Sequence, residues 1–304
     1  MRCIICGLSK DASKEHIIPE ALGNEKFITF KVCRECNNRL GTNVDNYLTD
    51  YIIIKLIRKD LNLLGKNENE IKIFPGTVTD STGEKFLFKN DVPIPAPKVN
   101  LEDGILHIEA ETIDEGMKLA KKKLERCNFS NEKINEIIKN YDRKEPVRYK
   151  PSFQLPADLD KGRYLLAGIK IAYEFACETL VDSYFDDKIA QLLRKELHNA
   201  AYSEKKRLSN CVDYSILSKY ASLSQLPGEL KIVLDKLKSK LSTPARHVCI
   251  LCDSADHKLI CHVILLFEDF MSFTVMLSED AVRYRMKGEC KIAVILEDGS
   301  CLCM

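Results

Sequence analysis

From Cys36 onward the chain places apolar residues at three- and four-residue spacing, Val44, Leu48, Ile52, Leu56 and Leu63, with Lys59 as a charged interruption. That period predicts a long helix with one face on a core, ending near Gly65. The pattern then shortens. Runs at 70–74, 85–88 and 105–109 read as strands between Pro-, Gly- and Asp-rich turns, and helical periods follow at 114–126 and 131–140. Pro146, Pro151 and Pro156 punctuate a linker. At 162–184, Leu165, Ile169, Ala172, Phe175, Ala176 and Leu180 form the buried face of a helix, with Lys170, Glu174 and Glu178 opposite at four-residue steps. A shorter helix is expected over 187–198. Beyond Arg246 the runs 248–252, 259–267, 273–277, 291–296 and 301–303 read as strands with short turns, for which an antiparallel meander is the economical topology.

These patterns define an α+β protein. Its parts are an N-terminal unit (1–64) with paired cysteines and a long helix, and a mixed region (65–304) with a helical part (157–240) and a C-terminal antiparallel sheet (246–304). The 304 residues are enough for one large domain or two modest ones. At 45% hydrophobic and 30% charged, the composition excludes fibrous and wholly disordered classes. The net charge of +1 supplies no global field for polyanions, and residues 1–64 carry only 10 Lys and Arg against 8 Asp and Glu. Any phosphate site must be local. The first residues, Met1 to Cys6, have no apolar core of a secretory signal. The run from Tyr164 to Val181 is broken by Lys170, Glu174 and Glu178 and is no membrane span. A cytoplasmic chain without membrane contact is expected. In a reducing cytosol its 13 cysteines read as ligands or core residues before disulfides.

Two Cys-x2-Cys knuckles, Cys3/Cys6 and Cys33/Cys36, stand 26 residues apart. Four thiolates at about 2.3 Å complete a closed tetrahedral Zn²⁺ site, which is structural because no position stays open. Between the knuckles lies Glu15-His16-Ile17-Ile18-Pro19, and Asn37-Asn38-Arg39-Leu40-Gly41 follows the second. An acidic residue beside a histidine offers a metal ligand and a proton acceptor. Strand alternation points neighbours to opposite faces, so the pair works together only where the strand is bent. A neutral imidazole, with an ordinary pKa near 6.5, takes a proton from water at pH 7, and an Asn amide oxygen suits a hard cation. A second group, Cys249, Cys252, His257, Cys261 and His262, has permissive metal spacing but falls on core-strand patterns, where cysteine acts as a small hydrophobe. No GxGxxG, P-loop or Ser elbow supports nucleotide hydrolysis or acyl transfer.

At these residues the sequence resembles the HNH endonuclease family with its ββα-metal motif, in the branch that reads Cys3-x2-Cys6, Glu15-His16-Ile17-Ile18-Pro19-Glu20-Ala21-Leu22-Gly23, then Cys33-x2-Cys36-Asn37-Asn38-x2-Gly41-x3-Asp45. The resemblance implies His16 as general base, Glu15 as acidic ligand of one Mg²⁺ or Mn²⁺ ion, and Asn37 as the terminal ligand on the helix. Asn38 and Asp45 take supporting roles, Asp45 lying eight residues from Asn37 and close to its helix face. The family's middle Asn, which braces the histidine loop, has no counterpart among Ile28, Thr29, Phe30 and Lys31; Asn38 or the backbone alone takes its place. Lys14, Lys31, Arg34 and Arg39 bracket the site as phosphate contacts. The implied activity is hydrolysis of phosphodiesters, foremost in double-stranded DNA, with a role in genome defence as the family habit. The alternatives are a non-catalytic zinc-organised nucleic-acid binder, and a nuclease latent until a regulatory ligand or protein partner engages residues 65–304. Monomer and homodimer are both compatible with the sequence.

Overall fold

A computed structural model of the chain describes residues 1–65, 71–74, 76–89, 92–142, 144, 150–153, 159–203, 212–223, 227–267 and 271–304. Two compact units result, one joining 1–71 to 157–304 and the other spanning 72–156.

The smaller unit holds β3 (Thr77–Thr79), β4 (Lys85–Lys89), β5 (Val92–Pro95), β6 (Lys98–Glu102) and β7 (Ile105–Glu109), followed by α4 (Ile113–Arg126) and α5 (Asn131–Lys139). β3, β4 and β5 form one antiparallel sheet, and β6 with β7 a hairpin. Thr112 and Ser130 accept from the third backbone N–H of α4 and α5, the N-cap geometry that starts each helix. Residues 71–74, expected as strand, are coil and bend, and Glu70 lies outside the described residues.

In the larger unit β1 (Ala12–His16) and β2 (Ile28–Cys33) form a hairpin, and α1 (Arg34–Leu40) starts directly after it. The expected single long helix is interrupted. α1 passes through a π turn at Gly41–Asp45 into α2 (Asn46–Thr49), Tyr51 turns extended, and α3 (Ile52–Asp60) restarts in a new phase. Hence Val44 and Leu48 are buried as expected, but Leu56 is exposed and Ile54 takes its place inside. The break is held by Arg58, itself buried, whose guanidinium donates to Thr49 O and Ala21 O.

α6 (Lys161–Thr179) is the axis of the unit. Its residues from Tyr164 to Cys177 are all buried, including Lys170 and Glu174 of the polar face, whereas Glu178 is exposed. α6 packs on α2 and β2 on one side and on β10 (Leu259–Ile264) and β11 (Ser272–Ser278) on the other. The approach to β11 is close: a Cβ on Gly168 would lie 2.4 Å from Phe273 Cδ1, so this position admits glycine. α7 (Lys188–Tyr202) lies beside α6, and α8 (Tyr214–Tyr220) and α9 (Gly228–Lys238) follow.

With β8 (Ala221–Leu223), β9 (Ala245–Asp253), β12 (Cys290–Leu296) and β13 (Cys301–Cys303), the C-terminal strands make a six-stranded antiparallel sheet in the order β13-β12-β9-β10-β11-β8. It is not a simple meander. After β11 the chain crosses back, and β12 pairs with β9 while β8 takes the edge beside β11. The crossing segment is pinned where Ala281 N–H donates to His257 O and Tyr284 O–H to Asp187. Cys249 and Cys261 are fully buried on adjacent strands and serve as core residues. Among the described residues no helix is long and apolar enough to cross a membrane.

Candidate active site and zinc centre

The first knuckle turns at Gly7, whose φ of 73° favours glycine, and its backbone is tied to β2 by Ile4 N–H to Lys31 O. The second knuckle runs from the last residue of β2 into α1. The four Sγ atoms of Cys3, Cys6, Cys33 and Cys36 all lie within 4.8 Å of one another. Tetrahedral coordination at 2.3 Å spaces sulfurs by roughly 3.8 Å, so the cluster fits Zn²⁺ with little adjustment. Among the described residues it is the one such group. The sulfurs crowd one another: a hydrogen bond from Cys36 draws Cys3 down to about 4, while Cys36 is pushed up by the same contact and Cys6 by burial. A divalent cation relieves that competition. Cys33 N–H faces Cys3 Sγ at 3.4 Å and the Tyr202 hydroxyl lies 3.7 Å from Cys36 Sγ, an outer layer for thiolate charge.

β1 starts beside this centre, Ala12 opposite Cys33, and carries Glu15 and His16 to its other end, opposite Thr29 and Ile28. The β1–β2 register slips between Ser13 and Glu15, the bend the adjacent pair requires. His16 has a side chain 17% exposed, with Nδ1 3.8 Å from the Glu20 carboxylate. Glu15 turns inward, 3% exposed, onto Lys170 Nζ at 2.6 Å. Asn37 comes from α1 and donates to Lys14 O at 2.7 Å and Ser13 Oγ at 3.2 Å, holding the strand. Asn38 is exposed on the next position. Asp45, at the end of the π turn, lies 3.4 Å from Lys170. Lys31 donates to Cys177 O at the C-terminal end of α6, a charge well placed against the helix dipole. Lys14 and Arg34 are exposed, and Arg39 lies 4.2 Å over the Tyr202 ring.

Four residues absent from the sequence reading of the site shape it. Asn24 is fully buried and closes the 17–27 loop with three bonds, donating to Ile18 O and Phe27 O and accepting from Phe27 N–H. Its signal was the Gly23-Asn24 turn pair. Lys170 and Glu174, charged residues inside an apolar run, meet Glu15 and Asp45 in one buried cluster. There burial raises Glu15 to about 7, against the pull of Lys170, and raises Asp45 and, most strongly, Glu174. Burial opposes the Lys170 charge, yet Asp45, Glu15 and Glu174 together hold its pKa above the ordinary value.

His247 on β9 is the fourth. Its Nδ1 accepts from Leu266 N–H at 3.0 Å, so Nε2 carries the proton and donates to Leu22 O at 2.8 Å, tying the sheet to the loop after His16. Burial lowers its pKa to about 3. The folded value lies below the unfolded 6.5, so the neutral ring contributes stability that is whole above pH 6.5 and fades as pH falls toward 3. Wild type is expected to lose ~2 kcal/mol from this residue between pH 7 and pH 5. His247→Gln, with nothing to protonate there, lacks that part; urea titrations of both proteins at the two pH values measure the difference. Equal pH dependence would refute the assignment.

A strand pair is followed directly by a helix, the four thiols cluster at one end of it, and His16 closes β1. Residues 3–52 match the HNH endonuclease family model, and the four clustered cysteines are consistent with a zinc-binding unit of that kind. No curated protein and no solved structure matched the chain.

Proposed function

We propose that the protein is an HNH-type endonuclease that hydrolyses phosphodiester bonds, with DNA as substrate and His16 as general base. The observation that carries this reading is His16 at the end of β1, in the hairpin whose other end carries the four-cysteine cluster, within the segment matched by the family. In this reading His16 takes the proton of the attacking water, Asn37 and Asn24 keep strand and loop in place, and zinc fixes the hairpin to α1 without touching substrate. The family chemistry uses a divalent cation, Mg²⁺ or Mn²⁺, which stabilises charge on the phosphate. Glu15 and Asn37, the ligands the resemblance names, do not converge on a common cation as arranged: one faces Lys170 and the other holds β1. The test is relaxation of supercoiled plasmid with Mg²⁺ or Mn²⁺, comparing wild type with His16→Ala.

The nucleic-acid surface in this reading runs from α1 along α7. Arg39 stacks on Tyr202, and Tyr202 on His198 at 4.5 Å. Beyond them opens a shallow cleft of about 190 Å³ lined by Ile5, Cys6, Gln191, Arg194, Lys195 and His198, and Arg2 and Arg194 both lie over the Phe185 ring. Basic groups interleaved with aromatic rings suit a phosphate backbone and its bases. Glu35, paired with Lys10 and Arg39, and Asp186, paired with Arg2, are the acidic groups along this track. Lys195→Glu combined with His198→Ala is expected to weaken duplex binding by His16→Ala protein about tenfold. The log–log salt slope should become shallower by about 0.9 for each lost phosphate contact. An unchanged slope would place the DNA elsewhere. Salt-sensitive binding without cleavage by wild type would favour the non-catalytic binder instead, a reading the Lys170–Glu15 pair supports.

A further inference from the structure

Lys170 lies at the middle of α6, fully buried, and no single element explains its partners. Its Nζ lies 2.6 Å from Glu15 Oε1, 2.7 Å from His16 O, 3.3 Å from Ile17 O, 3.3 Å from Glu174 Oε2 and 3.4 Å from Asp45 Oδ2. An ammonium has three hydrogens. The two shortest contacts take the side chain of residue 15 and the carbonyl of residue 16, so one cation grips both ends of the Glu15–His16 step. On the other side of β1, Asn37 grips Lys14 O and Ser13 Oγ. The backbone that sets the direction of the His16 ring is therefore clamped from α1 and from α6. Mg²⁺ needs oxygens at 2.0–2.1 Å and gives up its waters reluctantly. The Glu15 carboxylate, 3% exposed and already against an ammonium, has neither room nor charge left for a second, hydrated cation.

We infer that Lys170 is the resident cation of Glu15 and a positioning residue for His16, and that Glu15 anchors the catalytic strand instead of ligating a divalent metal. The inference rests on the proposed role of His16. It also explains why the chain places a lysine and a glutamate four residues apart in the most buried helix of the fold. Breaking such a pair from one side leaves an uncompensated buried charge, whereas removing both charges together is far milder.

The experiment uses full-length, zinc-loaded protein in four forms: wild type, Glu15→Gln, Lys170→Met and the double variant. Two readouts are taken at one pH, Mn²⁺ affinity by calorimetry and the His16 imidazole resonances by NMR, with plasmid cleavage alongside. Glu15→Gln is expected to hold Mn²⁺ affinity within about twofold of wild type, while kcat falls and KM stays. Lys170→Met is expected to shift the His16 resonances and lower kcat about a hundredfold. The double variant should recover at least tenfold of that loss and return the resonances toward wild type. Mn²⁺ affinity weakened more than tenfold by Glu15→Gln makes Glu15 a ligand and overturns the inference. So do unshifted His16 resonances in Lys170→Met, or a double variant no better than that single one. Should Lys170→Met not fold, Glu15→Gln alone still decides through Mn²⁺. Absence of cleavage in wild type, with the resonances moving as expected, would sink the nuclease reading and leave the clamp standing.

Discussion

Stripping zinc with a strong chelator, or replacing Cys36 by Ser, is expected to melt the β1–β2 hairpin and α1 and to lower the melting temperature of the chain by more than about 10 °C. A two-stranded hairpin is marginal in water on its own. Here the four clustered thiols come from the segment before β1, the end of β2 and the helix: Cys33 closes β2, Cys36 sits in α1, and the first knuckle, with Cys3 and Cys6, is tied back to Lys31. Structural zinc contributes on the order of 10 kcal/mol to folding in isolated fingers. In this chain the hairpin shares its core with α6, through Ile17, Ile18, Val32 and Leu40 packed with Leu166, Ile169 and Phe175. That shared core retains part of the structure and reduces the loss to ~5 kcal/mol or more. Metal analysis should return one zinc per chain. Calorimetry before and after chelation measures the shift, and an unchanged melting temperature would mean that the thiols hold no structural metal.

The second large effect concerns chemistry. His16→Ala should lower plasmid cleavage by about 10²- to 10⁴-fold, the range for losing a positioned general base. Zinc content and melting temperature should stay close to wild type, since the ring lies at the edge of the core. A loss of cleavage together with zinc would instead indicate a collapsed hairpin. Cleavage that persists unchanged in the variant would remove His16 from the mechanism.

Much of the zinc centre was legible because ligand spacing is a local property. Two residues between cysteines set each knuckle, and whatever fold brings the knuckles together must do so through β2 and α1, which are contiguous in sequence. The apolar runs of the C-terminal strands were legible for the same reason. The strand order was not, since β12 pairs with β9 across the sheet and no turn signal encodes that return. The helix after Cys36 carried a true apolar period. Its break at Tyr51 depends on Arg58 reaching back to Thr49 and Ala21, a contact no local pattern announces.

By itself the sequence determined the α+β class, the four thiolates and the acidic–histidine pair flanked by knuckles, all consequences of residue type at short spacing. Only the tertiary structure decided where the second charge beside His16 points. Lys170 and Glu15 are 155 positions apart, and each taken alone reads as an ordinary surface charge. Packing α6 against β1 removes water from both at once, and in that dry setting an ammonium and a carboxylate must meet each other. The same burial sends His247 to Leu22 and Asn24 to its loop. A buried polar group takes whatever partner the fold brings within reach, and that choice is not written in the neighbouring residues.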